Sequence, residues 1–191
     1  MERVNRYFEI HVFKIKELMK LILRELYYRL TRPTINVTKV NFDKNSDSIY
    51  IIGNGPSLNK IKIEKLKSKE TISFNRAYIA YEEWGFYPTI YMVVDKIVLN
   101  NIKEDIIELI QNSPIKLFVF PLWSKDLFPE SNKIQYLNLS ENRYVGKSFS
   151  NMGIIANVGA TAISVLHKLH YKNIIILGTD CNYEEKLIKN V

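Results

Sequence analysis

The run Ile49-Tyr50-Ile51-Ile52-Gly53-Asn54-Gly55-Pro56-Ser57-Leu58 begins as an uninterrupted apolar, mostly β-branched segment and stops in a glycine-bracketed turn. Continuous apolar residues bounded by polar ones predict a strand buried on both faces, the pattern of a parallel sheet. Gly53 and Gly55 lack the Cβ atoms that would hold a ligand away. Asn54 tolerates a positive φ or donates its amide, and Pro56 pins φ at about −65°. Loops at the carboxyl ends of strands are where α/β sheets bind ligands, so the backbone N–H groups of 53–57 are candidates to meet a phosphate. An ordinary strand-to-loop turn accounts for Gly-x-Gly equally well.

Downstream of this turn, strand and helix patterns alternate. Ile61 to Lys67 reads as a short helix, Thr71 to Phe74 as a second strand running into Asn75 and Arg76, and Ala77 to Trp84 as a helix closed by Gly85. Ile90 to Val94 is a third strand ending at Asp95, Ile102 to Gln111 an amphipathic helix, Ile115 to Phe120 a fourth strand and Ile134 to Leu139 a fifth. Asn157 to His170 is a helix, and Asn173 to Leu177 is the last strand, running into Gly178-Thr179-Asp180. Residues 121–152 are otherwise irregular, long enough for a substrate loop or lid. The expected fold is α/β and Rossmann-like, a mostly parallel sheet with helices on both faces, because right-handed crossovers return each strand in the same direction. Every strand tip then faces one crevice, which makes Asn54, Ser57, Asn75, Asp95 and Asp180 candidates to converge. Each alone could equally cap a helix or close a turn. Asn157-Val158-Gly159-Ala160-Thr161 adds a helix start with free N–H groups and a hydroxyl, a second phosphate candidate beside the simpler reading of Asn157 as a cap.

Ahead of the sheet, residues 1–31 form a separate unit. Val4, Phe8, His11, Ile15, Leu18, Ile22 and Leu26 make one apolar stripe at helical spacing, and Arg6, Lys16, Lys20 and Arg24 break any membrane-spanning run. Glu9, Glu17 and Glu25 dilute the basic charge, which favours packing over peripheral contact with an anionic membrane surface as the role of this amphipathic helix. Residues 32–48 are a polar connector and 49–191 the nucleotide-binding domain.

A chain of 191 residues with 47% hydrophobic content accommodates one α/β domain and an appendage. The formal charge of +7 suits anionic partners. Scattered lysines and aromatics placed in apolar runs argue against nucleic acid. The single cysteine, Cys181, excludes an internal disulfide and a multi-cysteine zinc cluster, and fits a cytoplasmic location, with association at the inner face of the membrane through residues 1–31 as the variant. No signal peptide, nucleophile elbow, close His/Cys cluster or Gly-Lys-Ser/Thr sequence is present, so no resident metal is expected.

Ile-Gly-Asn-Gly-Pro-Ser-Leu at 52–58, Ser-Phe-Asn-Arg at 73–76, Val-Val-Asp at 93–95, Gly-Ala-Thr at 159–161 and Ile-Leu-Gly-Thr-Asp at 176–180 resemble, in this order, a bacterial surface-polysaccharide glycosyltransferase-like family, domain of unknown function 115. That family is similar both to CMP-sialic-acid-dependent sialyltransferases and to the archaeal 6-hydroxymethylpterin diphosphokinases. The resemblance covers residues 49–183, is weaker over 96–150 and leaves out 1–31. It implies that Gly53, Asn54, Gly55, Pro56 and Ser57 hold a nucleotide's phosphate or ribose, that Asn75, Arg76 and Asp95 line the same pocket, and that Gly159 and Thr161 approach phosphate or base. The activity it implies is transfer of an acidic sugar from a nucleotide-sugar donor, CMP-linked, to a glycan acceptor in surface glycan biosynthesis. The sialyltransferases use a histidine beyond these motifs as general base, and none follows Asp180 here. Asp180 is then the first base candidate and Asp95 the next, with Tyr144 and Lys147 candidates for the departing phosphate. His167 and His170 are read as helix-end or solvent-facing residues. The alternatives are Mg²⁺-dependent diphosphate transfer from ATP to a pterin-like alcohol, with Asp95 and Asp180 as metal ligands, and a shortened, non-catalytic nucleotide-binding relative.

Overall fold

The computed structural model describes residues 15, 16, 18–20, 23, 37, 39–140, 149, 152, 153 and 157–180. The chain divides into two units, Met1–Asn36 and Val37–Val191. In the first, Ile15, Leu18, Met19 and Leu23 are helical and more than half exposed. The stripe residues Val4, Phe8, His11, Ile22 and Leu26 lie outside the described residues, as do Tyr144, Lys147 and Cys181. No helix among the described residues is long and apolar enough to cross a membrane.

The second unit is built on a six-stranded sheet. Its strands are β1 (Ser48–Ile52), β2 (Thr71–Phe74), β3 (Ile90–Met92), β4 (Leu117–Pro121), β5 (Ile134–Leu137) and β8 (Asn173–Leu177). They lie in the order β5-β4-β3-β2-β1-β8, and every neighbouring pair is parallel. Two short strands, β6 (Leu139–Ser140) and β7 (Met152–Gly153), form a parallel pair of their own. The α/β, Rossmann-like arrangement expected from the alternating pattern is the one observed.

Alternation along each strand sorts the apolar residues into two layers, which is why these strands read as continuous apolar runs. Ile49 and Ile51 of β1, Ile72 and Phe74 of β2 and Ile90 and Met92 of β3 pack with Ala162, Val165 and Leu166 of a helix spanning Val158–Lys168. Tyr91 and Val93 point the other way, onto Ile106 and Ile110 of the helix Lys103–Asn112. Ile52 packs with Leu66 and Phe86. In chain order the helices are α1 (Tyr81–Trp84), α2 (Lys96–Asn101), α3 (Lys103–Asn112) and α4 (Val158–Lys168).

Several local expectations change. The short helix expected over 61–67 is a 3₁₀ turn at Ile63–Leu66, preceded by a second 3₁₀ turn at Pro56–Lys60. Pro56 sits in the first turn and the segment is too short for α-helical cooperativity. Asn75–Ala80 is also 3₁₀ and leads directly into α1, which Gly85 ends in the left-handed conformation at φ +67°. Lys96–Asn101 forms a helix not anticipated in Lys-Ile-Val-Leu-Asn-Asn, a sequence whose apolar centre gives no helical period.

Candidate functional site

The chain runs from β1 outward through β2, β3, β4 and β5, then returns to place β8 on the opposite side of β1. Strand order therefore reverses between β1 and β8, and the crevice beyond their carboxyl ends is the position where open α/β sheets bind ligands. The turn at 53–57 and the turn at 178–180 meet there.

Their contact is closer than the sequence suggests. The Gly53 N–H donates to the Leu177 carbonyl at 2.8 Å, and the Gly55 N–H donates to the Gly178 carbonyl at 2.8 Å. The Ser57 N–H donates to the Asp180 carboxylate at 2.7 Å. A Cβ on Gly53 would fall 2.3 Å from the Gly178 carbonyl oxygen, and one on Gly55 would fall 2.6 Å from Asp180 Oδ2. These glycines thus clear space for the β8 turn, a neighbour that the sequence did not name. The N–H groups of 53, 55 and 57 are likewise occupied by protein acceptors. Gly55 has φ −80° and ψ 152°, so the absence of a Cβ, and not an unusual backbone angle, is what the site requires of it. Asn54, at the apex, is exposed and has no positive φ, and Pro56 is exposed.

Asp180 is the charged centre of this junction. The Ser57 hydroxyl and then its N–H hold the carboxyl below the usual carboxylate range, and Lys60 adds attraction. Such a carboxylate stays ionised and is a weak proton acceptor, which weighs against Asp180 as the general base. With roughly four lone-pair positions on two oxygens, it keeps acceptor capacity beyond the Ser57 contacts.

One strand over, Asn75 follows β2 directly at φ +52°, a conformation uncommon for most residues with a side chain. Its carbonyl accepts a hydrogen bond from the Tyr91 hydroxyl, while its side-chain Oδ1 is buried without a hydrogen-bond partner. Asparagine tolerates this backbone region better than most residues, and the unsatisfied acceptor at a strand tip keeps Asn75 a candidate for ligand contact. Arg76 beside it is exposed. Asp95 follows β3, where it caps α2 by accepting from the Val98 N–H at 2.9 Å. β3 and β8 are three strand positions apart, about 14 Å at the usual interstrand spacing. The two aspartates of the metal reading thus follow strands that are not neighbours, and among the described residues no cluster of three His, Cys, Asp or Glu side chains could hold a metal ion.

α4 runs back toward the start of β8, so its first turn lies on the same rim. Asn157 caps it, accepting from the Ala160 N–H at 2.9 Å. The N–H groups of Val158 and Gly159 precede the helix's own hydrogen-bond ladder and carry the positive end of its dipole. A Cβ on Gly159 would meet only Asn157 Oδ1, at 3.4 Å, so this glycine does face open space. Thr161 differs from expectation. It is 2% exposed and its hydroxyl donates to the Asn157 carbonyl at 3.0 Å, which leaves nothing for a phosphate. His167 and His170 are exposed.

Farther along the rim stands a residue the sequence reading passed over. Trp123, in the 3₁₀ turn Leu122–Leu127 after β4, is 46% exposed, and Lys96 Nζ lies 5.9 Å from its ring centroid. The available signal was its position, one of two tryptophans and placed immediately after a buried strand. A cavity of about 230 Å³ lined by Tyr78, Tyr87, Asp105 and Glu108 flanks α3 and includes none of the glycine-turn residues.

A family model described as 6-hydroxymethylpterin diphosphokinase MptE-like matches residues 20–186. No curated protein and no solved structure matches the chain. The likeness to glycosyltransferases and sialyltransferases expected from the motifs finds no support in these comparisons.

Proposed function

The chain belongs to the 6-hydroxymethylpterin diphosphokinase MptE-like family, and on that premise we propose that it transfers a diphosphate group from ATP to the hydroxyl of a pterin-like alcohol. The observation that carries this reading is the junction of Gly53–Ser57 with Gly178–Asp180 at the β1/β8 switch point, where an ionised carboxylate sits on the rim that also holds the first turn of α4. In the transfer, the alcohol oxygen forms a bond to the β-phosphorus. The bond from that phosphorus to the α,β-bridging oxygen breaks, AMP departs with the electron pair, and the hydroxyl proton passes to a base.

The residues fit a magnesium ion of the kind that binds through one or two carboxylates and substrate phosphates. Asp180 would hold it, and the ion would neutralise charge on the phosphate chain. Val158 and Gly159 would direct N–H groups at a phosphate oxygen, and Asn75 would offer its unpartnered Oδ1 to a ribose hydroxyl or base N–H. Ser57 holds the Asp180 carboxylate in its ionised form, and the interlocked turns fix where that charge sits.

Calorimetry with ATP, CMP, CDP and UDP, each with and without Mg²⁺, tests the proposal. ATP binding that requires the metal, and that weakens at least about tenfold in Asp180→Ala, is expected, since removing a charged partner costs more than about 1.4 kcal/mol. CMP preference without metal, or ATP affinity unchanged by the substitution, overturns it.

A further inference from the structure

We propose that Trp123, together with Asp95 and Lys96, forms the acceptor subsite of this crevice, a platform on which a planar heterocycle stacks while its N–H edge meets the Asp95 carboxylate. The inference rests on the diphosphate-transfer reading and names where its second substrate sits.

The first observation is the presentation of Trp123. Ser124 next to it is fully buried and its hydroxyl donates to the Pro121 carbonyl at 2.7 Å, which anchors the turn. The indole is nonetheless 46% exposed. A large aromatic held outward on an anchored turn forgoes the burial that ordinarily stabilises tryptophan, and a ring-shaped ligand supplies the missing contact. The second observation is its neighbour. Lys96 Nζ stands 5.9 Å from the ring centroid, so the tips of β3 and β4 form one surface, and Lys96 directly follows Asp95. Asp95 uses Oδ1 for the Val98 N–H, and among the described residues Oδ2 has no hydrogen bond. A free carboxylate oxygen on the residue preceding Lys96, on the surface that also carries the electron-rich ring, suits an electron-poor heterocycle that presents adjacent amine and amide N–H donors, as a 2-amino-4-oxopyrimidine edge does. The third is distance. β4 lies three strand positions from β1, about 14 Å, on the same carboxyl edge. Room for a phosphate chain is left between an acceptor on Trp123 and a nucleotide at the switch point, with Lys96 available to the phosphates.

The experiment uses the full chain and 6-hydroxymethylpterin as probe. In a Trp84→Phe background Trp123 is the one remaining tryptophan. Its fluorescence should be quenched saturably by the probe. Independently of that background, calorimetry on Trp123→Leu should show probe affinity reduced about tenfold or more, the effect of losing one ring-stacking contact, while Mg²⁺-ATP affinity stays within twofold. Asp95→Asn, which keeps a competent helix cap, should weaken the probe and diminish its advantage over an analogue lacking the 2-amino group. Unchanged probe affinity in Trp123→Leu, with ATP still bound, overturns the subsite and leaves diphosphate transfer standing. Failure of the wild-type chain to bind ATP or probe overturns both.

Discussion

Replacing Gly53 with alanine should open the junction of the two turns. The new Cβ would lie 2.3 Å from the Gly178 carbonyl oxygen and 2.8 Å from its carbon, against 3.4–4 Å for ordinary contact. Both obstacles are backbone atoms, so no side-chain rotation relieves them and the turns must part by about 1 Å. That separation stretches the Gly53 N–H bond to Leu177 and the Gly55 N–H bond to Gly178, each 2.8 Å in the native chain. Two weakened hydrogen bonds at about 1 kcal/mol each, added to about 1–3 kcal/mol of overpacking, give a loss of about 3–5 kcal/mol. At about 2–4 °C per kcal/mol for a chain of this size, Tm should fall by about 6–20 °C. Differential scanning calorimetry reads it. Gly85→Ala is the control, because its φ of +67° strains an alanine although nothing lies within 4 Å of the new Cβ. Strain without a clash costs about 1–2 kcal/mol. If Gly53→Ala melts within 2 °C of wild type, or no lower than Gly85→Ala, the close approach of the two turns is refuted.

Asn75→Gly removes both a left-handed backbone penalty and a buried acceptor without a partner, while leaving the carbonyl that Tyr91 bonds. It should raise stability by about 1 kcal/mol in urea unfolding despite glycine's greater chain entropy, and a loss of stability would show that the amide has a partner. Asp47 is held at about 2, below its ordinary 3.8, by the Lys172 hydrogen bond first and the Lys44 hydrogen bond second. A carboxyl depressed on folding contributes stability that is present above the unfolded value and fades as pH falls from about 4 toward 2. Asp47→Asn should therefore flatten the fall of the urea midpoint across that window, and an unaltered pH profile would show that this triad contributes nothing.

The frame of the fold was readable because strands buried on both faces must be continuously apolar. Thr71–Phe74 and Asn173–Leu177 have the limits expected from their sequence, and the glycine turn after Ile52 correctly marked a carboxyl edge. What the glycines approach was not readable. A missing Cβ signals proximity without naming the neighbour, and here the neighbour comes from a turn more than 120 residues away, as the Ser57–Asp180 separation of 123 shows. Thr161 illustrates the same limit, since a hydroxyl in a helix's first turn looks identical whether it meets a phosphate or its own backbone. Asp95 and Asp180 both follow strands, but only strand order reveals that three positions divide them. Trp123 was hidden by its setting in an irregular stretch, where exposure cannot be inferred from neighbours along the chain.

The pairing of β1 with β8 joins residues 125 positions apart, as the Asn173–Ser48 side-chain bond records. β2 can add to β1 early in synthesis, whereas the opposite edge of β1 stays open until the ribosome has made residues 173–177. Until then the nascent chain displays a row of unsatisfied amides and carbonyls flanked by isoleucine, a template for mispairing with other nascent chains. Asp180, made three residues after β8 ends, arrives with the segment that closes this edge, so closure of the edge and assembly of the charged junction are a single event in folding.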